Sequence, residues 1–193
     1  MKKSKVERKT KETSVSVEFS APASGKVKNL VKTPEGFLNH MLELFAYHGD
    51  FGLVVKASGD TGVDMHHTVE DTGIVLGEAI GKIVSKGKIE RFGSAIIPMD
   101  EALALVAIDV SGRPWVDFNV EFTDIRKADF DYRLFEDFFR ALAVKAGITI
   151  HIVSLAGRDN HHICESVFKA FGKALAAALK PSPKKVSSTK GLI

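Results

Sequence analysis

A single cysteine, Cys164, stands among the 193 residues. No intrachain disulfide is available, so the fold has to rest on an apolar core. No apolar run approaches the roughly 18 residues that a membrane-spanning helix needs. The N-terminal MKKSKVERKTKET is basic but leads into an alternating segment, not the continuous apolar stretch of a signal peptide. The expected location is therefore the cytoplasm, with no membrane partner. A cysteine cluster is also lacking, which argues against a thiolate-rich zinc site. The body of the chain carries no basic stripe interleaved with aromatics, so nucleic acid is not an expected partner.

Hydrophobic residues make up 45% and charged residues 26% of the chain, the balance of an ordinary globular protein with material for a real core. The formal net charge of +3 is modest, and its placement matters more than its size. Basic residues crowd the N-terminus from Lys2 to Lys11 and the C-terminal tail from Lys180 to Lys190. Such tails are commonly solvated, and residues 1–9 are expected to be flexible. The tail over 181–193 is read as a basic segment that orders over an anion such as a phosphate.

Periodicity divides the chain into two similar halves, 1–88 and 89–180. TSVSVEF alternates as a half-buried strand, and a second short strand is expected near Lys26 to Val31. In FLNHMLELFAYHG, Leu38, Met41, Leu42 and Phe45 fall at helical spacing. FGLVVKASG is a strand, and the run beginning HHTVED is a helix. After Lys88 the order begins again. RFGSAIIPM, EALALVAIDV and PWVDFNVEF read as strands, DYRLFEDFFRALAVKAG as a helix, ITIHIVSLAG as a strand and HHICESVFKAFGKALAAALK as a helix. The segment Phe37–Ile80 lays over Leu134–Leu175. His66 then falls on His161, His67 on His162, Glu70 on Glu165 and His40 on Asp137. The simplest architecture is an α+β fold built from an internally duplicated unit of mixed β-sheet with helices on one face, the two halves packed helix to helix.

Imidazole and carboxylate side chains three or four residues apart share a helix face, so Glu70 can join either His66 or His67 on one metal ion. Adjacent helical residues point about 100° apart, so His66 and His67 are not expected to grip the same ion, and the same separates His161 from His162. If all four are ligands, the pairs serve two metal centres that each draw on both halves, or on different subunits. His40 and Asp137 are the extra ligands. Such donors suit manganese, iron or zinc. His151, in mid-strand, reads instead as a hydrogen-bonded structural residue, and Cys164 as inert packing. His48 is a helix-end residue favoured by the helix dipole and close enough to count among the substrate-side residues. Arg91 in ERFG and Arg113 in SGRP, with Lys190, form a candidate phosphate clamp. At this level two rivals stand beside a lyase: a dinuclear metallohydrolase acting on a phosphate ester, and an RNA-binding module, which leaves the paired histidine clusters unexplained.

FLNHML, DMHHTVED, RFG, PMDEAL, DVSGRP, GITIHI, DNHHICESVFKAFGKAL and SSTKG, in this order, strongly resemble the imidazoleglycerol-phosphate dehydratase family, from Arg8 almost to the C-terminus. The resemblance implies a duplicated fold of the ribosomal S5 domain 2-like class. It also implies two Mn2+ ions per active site and a homo-oligomeric shell of 24 subunits with sites between subunits. By motif, the metal ligands would be His40, His66, His67, Glu70, His161, His162 and Glu165. Asp137 takes a position where many relatives carry His or Glu. Glu12 of TKET matches a substrate-site acid. Arg91, Arg113, Lys169, Ser188 and Lys190 match positions that contact substrate, several of them around its phosphate. His40 is counted with them, and Thr189 keeps a hydroxyl in the same tail.

The implied reaction is a lyase step of histidine biosynthesis: D-erythro-imidazoleglycerol phosphate loses water to give imidazole acetol phosphate. The proton to be removed is poorly acidic. A metal-bound imidazolate would absorb the charge and pass through a diazafulvene-like species. Glu12, Glu70 and Glu165 are the candidate catalytic carboxylates, with the base drawn from Glu12 or Glu70.

Overall fold

The computed structural model describes residues 3–21, 29–59, 62, 64–85, 88–123, 126–127 and 130–182. Strand β1 (Lys3–Lys9) pairs antiparallel with β2 (Thr13–Ser20), and β2 pairs antiparallel with β4 (Gly52–Gly59). Strand β3 (Asn29–Lys32) lies parallel to β4, giving a mixed sheet in the order β1-β2-β4-β3. The second half repeats this plan. Strands β5 (Phe92–Met99) and β6 (Ala102–Asp109) form the hairpin. Next to β6 lies β10 (Thr149–Ala156), and β7 (Trp115–Asn119) runs parallel to β10 in the order β5-β6-β10-β7. A small ladder of β8 (Arg126–Lys127) and β9 (Phe130–Asp131) has no counterpart among the described residues of the first half.

In both halves the parallel pair is joined through a helix, as parallel strands require. Helix α1 (Gly36–His48) links β3 to β4, and α3 (Leu134–Ala146) links β7 to β10. Each half ends on a long helix, α2 (His66–Val84) and α4 (Asn160–Ala178). Leu38, Met41, Leu42 and Phe45, the apolar stripe read from α1, are fully buried. The alternating residues Val15, Val17 and Phe19 of β2 face the same core.

Helix α2 packs on β1 and β2, and α4 on β5 and β6. Between the halves the pairing crosses over, with α1 against α4 and α3 against α2. Glycine allows both crossings to be close. A Cβ on Gly172 would lie 2.5 Å from the carbonyl oxygen of Phe45, and one on Gly77 would strike the carbonyl oxygen of Leu142. These two contacts are equivalent under the internal repeat. A ring cluster of Phe135, Phe138, Phe139, Phe168 and Phe171 fills the space around the helices, with centroids 4.9–5.9 Å apart.

One expectation is corrected. Charge predicts a flexible segment over residues 1–9, but Lys3–Lys9 is a full edge strand. Its register with β2 runs from Lys3↔Ser20 to Lys9↔Ser14, and Val6 is buried under it. Cross-strand pairing outweighs the local charge density, and the lysines point to solvent from an edge, where charge discourages pairing with another chain.

Substituting Gly77→Ala or Gly172→Ala forces a methyl group into a facing backbone. Each change is expected to lower stability by about 1–3 kcal/mol, read as a reduced thermal midpoint. A pair of alanine variants as stable as the parent would show that the crossings are looser than this geometry requires.

Candidate active site

The two crossings set the ends of four helices side by side and bring the candidate ligands together. His66 and His161 both occupy the first turn of their helices. In each case an aspartate two residues earlier accepts the histidine backbone N–H: Asp64 at 2.9 Å for His66, and Asp159 at 2.7 Å for His161. Asp159 is the N-cap of α4, while Asp64 stands one residue before the N-cap Met65 of α2; in both a carboxylate satisfies a free N–H at the helix start.

At the α1–α4 crossing, Glu165 Oε1 lies 3.0 Å from His40 Nε2 and 3.0 Å from His161 Nε2. One donor atom from each of His40, His161 and Glu165 falls within a 4.8 Å circle. The other Glu165 oxygen accepts from Lys169 Nζ at 2.7 Å, and that amine also approaches Met99 Sδ at 3.0 Å. Burial alone would push the Glu165 carboxyl up. Lys169, His40 and His161 outweigh it and hold the group at about 2. His48, at the end of α1, is pushed down by burial and by the nearby Lys169 and Lys173 cations, so its neutral ring is favoured.

At the equivalent α2–α3 crossing, His66 Nε2 is 3.7 Å from Glu70 and His66 Nδ1 is 3.7 Å from Asp137. The two carboxylates therefore bracket opposite edges of one ring. Each triad draws on both halves of the chain, and in each the first histidine pairs with the glutamate four residues on. The second histidine diverges as helix geometry requires. Ring planes are 84° apart in His66 and His67, and 89° apart in His161 and His162. His67 Nδ1 faces Glu12 at 3.8 Å, and His162 Nδ1 donates to the Glu101 carboxylate at 2.8 Å.

The α1–α4 triad fits a divalent ion: two imidazole nitrogens and an ionised carboxylate oxygen already face one another, and these are donors that manganese, iron or zinc accept. The α2–α3 triad offers one imidazole and two carboxylates, but its atoms do not converge on a point.

Arg91 and Arg113 lie elsewhere. Arg91 precedes β5, whereas His162 meets the turn at its far end, about 23 Å away at 3.3 Å per residue. The Arg91 guanidinium grips Asp109 through Nε at 2.6 Å and Nη2 at 3.0 Å, and stacks on Phe92. Arg113 is exposed in the turn before β7. The expected single clamp is thus not assembled with the histidines among the described residues of one chain. Ser188, Thr189 and Lys190 lie outside the described residues. His151 contacts Asp117 at 3.3 Å on an exposed strand, and Cys164 is buried.

Sequence reasoning missed Glu101 and Asp71. Asp71 is buried on α2, where it accepts from Arg8 Nε at 2.9 Å and from the Thr13 hydroxyl, tying the hairpin that carries Glu12 to the helix that carries His66 and His67. Glu101 occupies the hairpin position equivalent to Glu12 under the repeat, a match that lies outside the overlaid segments. Asp71 lies within them and has Ser166 as its counterpart, which gives no signal.

In metal-stripped protein, Glu165 ionises well below its ordinary 4.5. Its stabilising effect is complete above that unfolded-state value and is lost as pH falls toward about 2, a total on the order of 3 kcal/mol. Glu165→Gln is expected to flatten this acid limb in a denaturation series. An unchanged limb in the variant would place the titration on another group.

The chain matches the family model described as imidazoleglycerol-phosphate dehydratase over residues 33–175. It is 50% identical over 194 residues to the imidazoleglycerol-phosphate dehydratase of Thermodesulfovibrio yellowstonii, covering 100% of both chains. It is 48% identical to that of Acetivibrio thermocellus, covering 100% of this chain and 99% of that one. Among solved structures it resembles the Staphylococcus aureus enzyme at 37% identity and TM-score 0.84, covering 94% of this chain and 100% of the other. It also resembles the Pyrococcus furiosus enzyme in complex with (S)-C348, at 40% identity and TM-score 0.86, covering 97% and 100%. Fold, family model and full-length relatives agree: the chain belongs to the imidazoleglycerol-phosphate dehydratase family and is a lyase of histidine biosynthesis.

Proposed function

We propose that the protein dehydrates D-erythro-imidazoleglycerol phosphate to imidazole acetol phosphate at a site holding two Mn2+ ions. The observation that carries this reading is the convergent His40–His161–Glu165 cluster at the α1–α4 crossing. Its counterpart under the repeat, His66–Glu70–Asp137, gathers the same kinds of donor without converging on a point. The diverging rings of His67 and His162 are the remaining ligands, offered outward to neighbouring subunits. The metals supply Lewis acidity and a template for the substrate imidazole.

The chain's own residues account for the rest. Removing a proton from a carbon that lacks an adjacent carbonyl requires a base held at the reacting atom. Glu12, on a hairpin turn and 59% exposed, is free enough to reach an incoming substrate, and Glu70 is the second carboxylate on that side. In the proposed sequence the ring gives up its N–H proton, and the hydroxyl leaves as water after protonation by a carboxylic acid of the site. The diazafulvene-like species so formed loses its carbon-bound proton to the base, giving an enol that tautomerises to the ketone. Glu165 stays ionised at neutral pH and keeps Lys169 in place, with its ammonium available to substrate oxygens. Neutral His48 adds no positive charge beside that lysine.

Arg91 and Arg113 sit at the opposite end of the second sheet from the triads, which supports their serving the site of another subunit. Exposed Phe92, Ile96, Trp115 and Leu155 lie on that same sheet. An apolar face of this kind supports burial against other copies. The proposed assembly is a shell of 24 chains. In it the basic tail, with Ser188, Thr189 and Lys190, joins the phosphate contacts. A cytoplasmic location belongs to the same proposal, and no described helix is long and apolar enough to cross a membrane.

Purified protein is expected to contain about two manganese ions per chain, to run near the mass of twenty-four chains and to dehydrate imidazoleglycerol phosphate. Thorough chelation should abolish turnover, and full activity after chelation would sink the metal reading. His67→Ala should lose one ion and activity together. Arg113→Ala should raise KM about 10-fold while largely sparing kcat, the pattern of lost ground-state binding; a fall in kcat alone would refute its role as a phosphate contact.

A further inference from the structure

The internal repeat places one acid at the tip of each sheet's first hairpin, and each faces the second histidine of its pair. In the first half the contact is loose, with Glu12 Oε2 at 3.8 Å from His67 Nδ1. In the second half it is tight. Glu101 Oε2 is 2.8 Å from His162 Nδ1, while Glu101 Oε1 accepts the backbone N–H groups of Asp159 at 2.8 Å and Arg158 at 3.2 Å. Glu101 is 36% exposed where Glu12 is 59% exposed. The same position is thus an anchored group in one half and a loosely held, more exposed one in the other.

An ionised carboxylate only accepts hydrogen bonds, so it selects the imidazole tautomer with the proton on the nitrogen facing it. Nδ1 of His162 then carries the hydrogen and Nε2 keeps its lone pair. Nε2 lies 3.9 Å from the largely exposed Asp100. We propose that Glu101 is a positioning residue: it holds His162 in the Nδ1–H tautomer and aims Nε2 outward as a metal ligand for an adjoining subunit. This rests on the reading of His162 as a ligand given above. It adds a residue outside the histidine motifs, and it assigns different work to the two hairpin acids. Glu12 is left to act on substrate, and Glu101 acts only through His162. Groups that orient a ligating histidine in this way typically contribute 10–100-fold in metal affinity.

Glu101→Gln separates this role from simple bracing of the Arg158–Asp159 segment. The amide oxygen still accepts from the two backbone N–H groups, which fixes the side-chain orientation. The NH2 group then faces His162 Nδ1 and drives the proton to Nε2, blocking it as a ligand. Chelator-stripped full-length protein would be titrated with Mn2+ alone, free ion being followed by electron paramagnetic resonance, with the thermal midpoint measured in parallel. In Glu101→Gln, one of the two ions per chain is expected to bind about 10–100-fold more weakly, at an unchanged thermal midpoint. In a His162→Ala background the same change is expected to cost nothing further. Equal Mn2+ affinity in Glu101→Gln and parent, or a further loss in the His162→Ala background, would overturn the role of Glu101 while leaving the dehydratase reading intact. A parent protein that binds no Mn2+ would overturn that reading itself, and the inference with it.

Discussion

Where α4 crosses α1, Gly172 brings two backbones so close that a single methyl group would meet the Phe45 carbonyl oxygen at 2.5 Å. Gly77 does the same for α2 and α3. Everything at the candidate site depends on these contacts. His40 and Asp137 lie one and a half turns before the crossing points on α1 and α3, and His161 and His66 three turns before them on α4 and α2. Only a tight crossing of fixed register lets side chains from different halves meet at 3.0 Å, as His40 and Glu165 do. A bulkier interface would splay the helix starts and separate the ligands, even with every histidine in place.

Duplication makes the two crossings alike, and substitution has made their chemistry differ. The α1–α4 triad has two imidazoles and one carboxylate, and Lys169 offsets the charge of that carboxylate. The α2–α3 triad has one imidazole and two carboxylates, both roughly half exposed. More oxygen in a donor set favours harder ions, whereas imidazole suits a broader range. With Asp137 standing where the internal repeat puts His40 in the other half, the two triads would suit different ranges of ion. Asp137 and Glu70 both stand 3.7 Å from the His66 ring, whereas His40 and Glu165 are in hydrogen-bond contact.

Most of the fold could be read from the sequence because the periodicities are strong and repeat in the same order. The α1 stripe of Leu38, Met41, Leu42 and Phe45 allows one buried face, and the span His66–Val84 matches α2 end to end. The first strand could not be read, because KSKVERK carries one buried residue, Val6, and gains its order from pairing with β2. The candidate His and Glu positions were readable from helix geometry, which predicts that adjacent histidines diverge. Which nitrogen faces which acid was not, because Glu12 and Glu101 approach from hairpin turns fixed by sheet register. The placement of Arg91 and Arg113 was also hidden. Spacing along a chain does not say which end of a sheet a turn occupies.

That placement bears on why the protein would assemble at all. Within one chain the triads lie at one end of the second sheet, and Arg91 and Arg113 at the other, some 23 Å apart by strand length. No side-chain motion closes such a gap, because an arginine reaches about a third of it and Arg91 is already held by Asp109 at 2.6 Å. His67 and His162 point away from their own triads for an equally rigid reason, the rotation between adjacent helical residues. On the proposed reading, a chain built this way has candidate ligands left over at one place and candidate phosphate contacts left over at another. Copies of itself are the simplest source of the complements. In the proposed assembly, association then determines when the site exists, because an isolated chain holds all the parts and cannot bring them together.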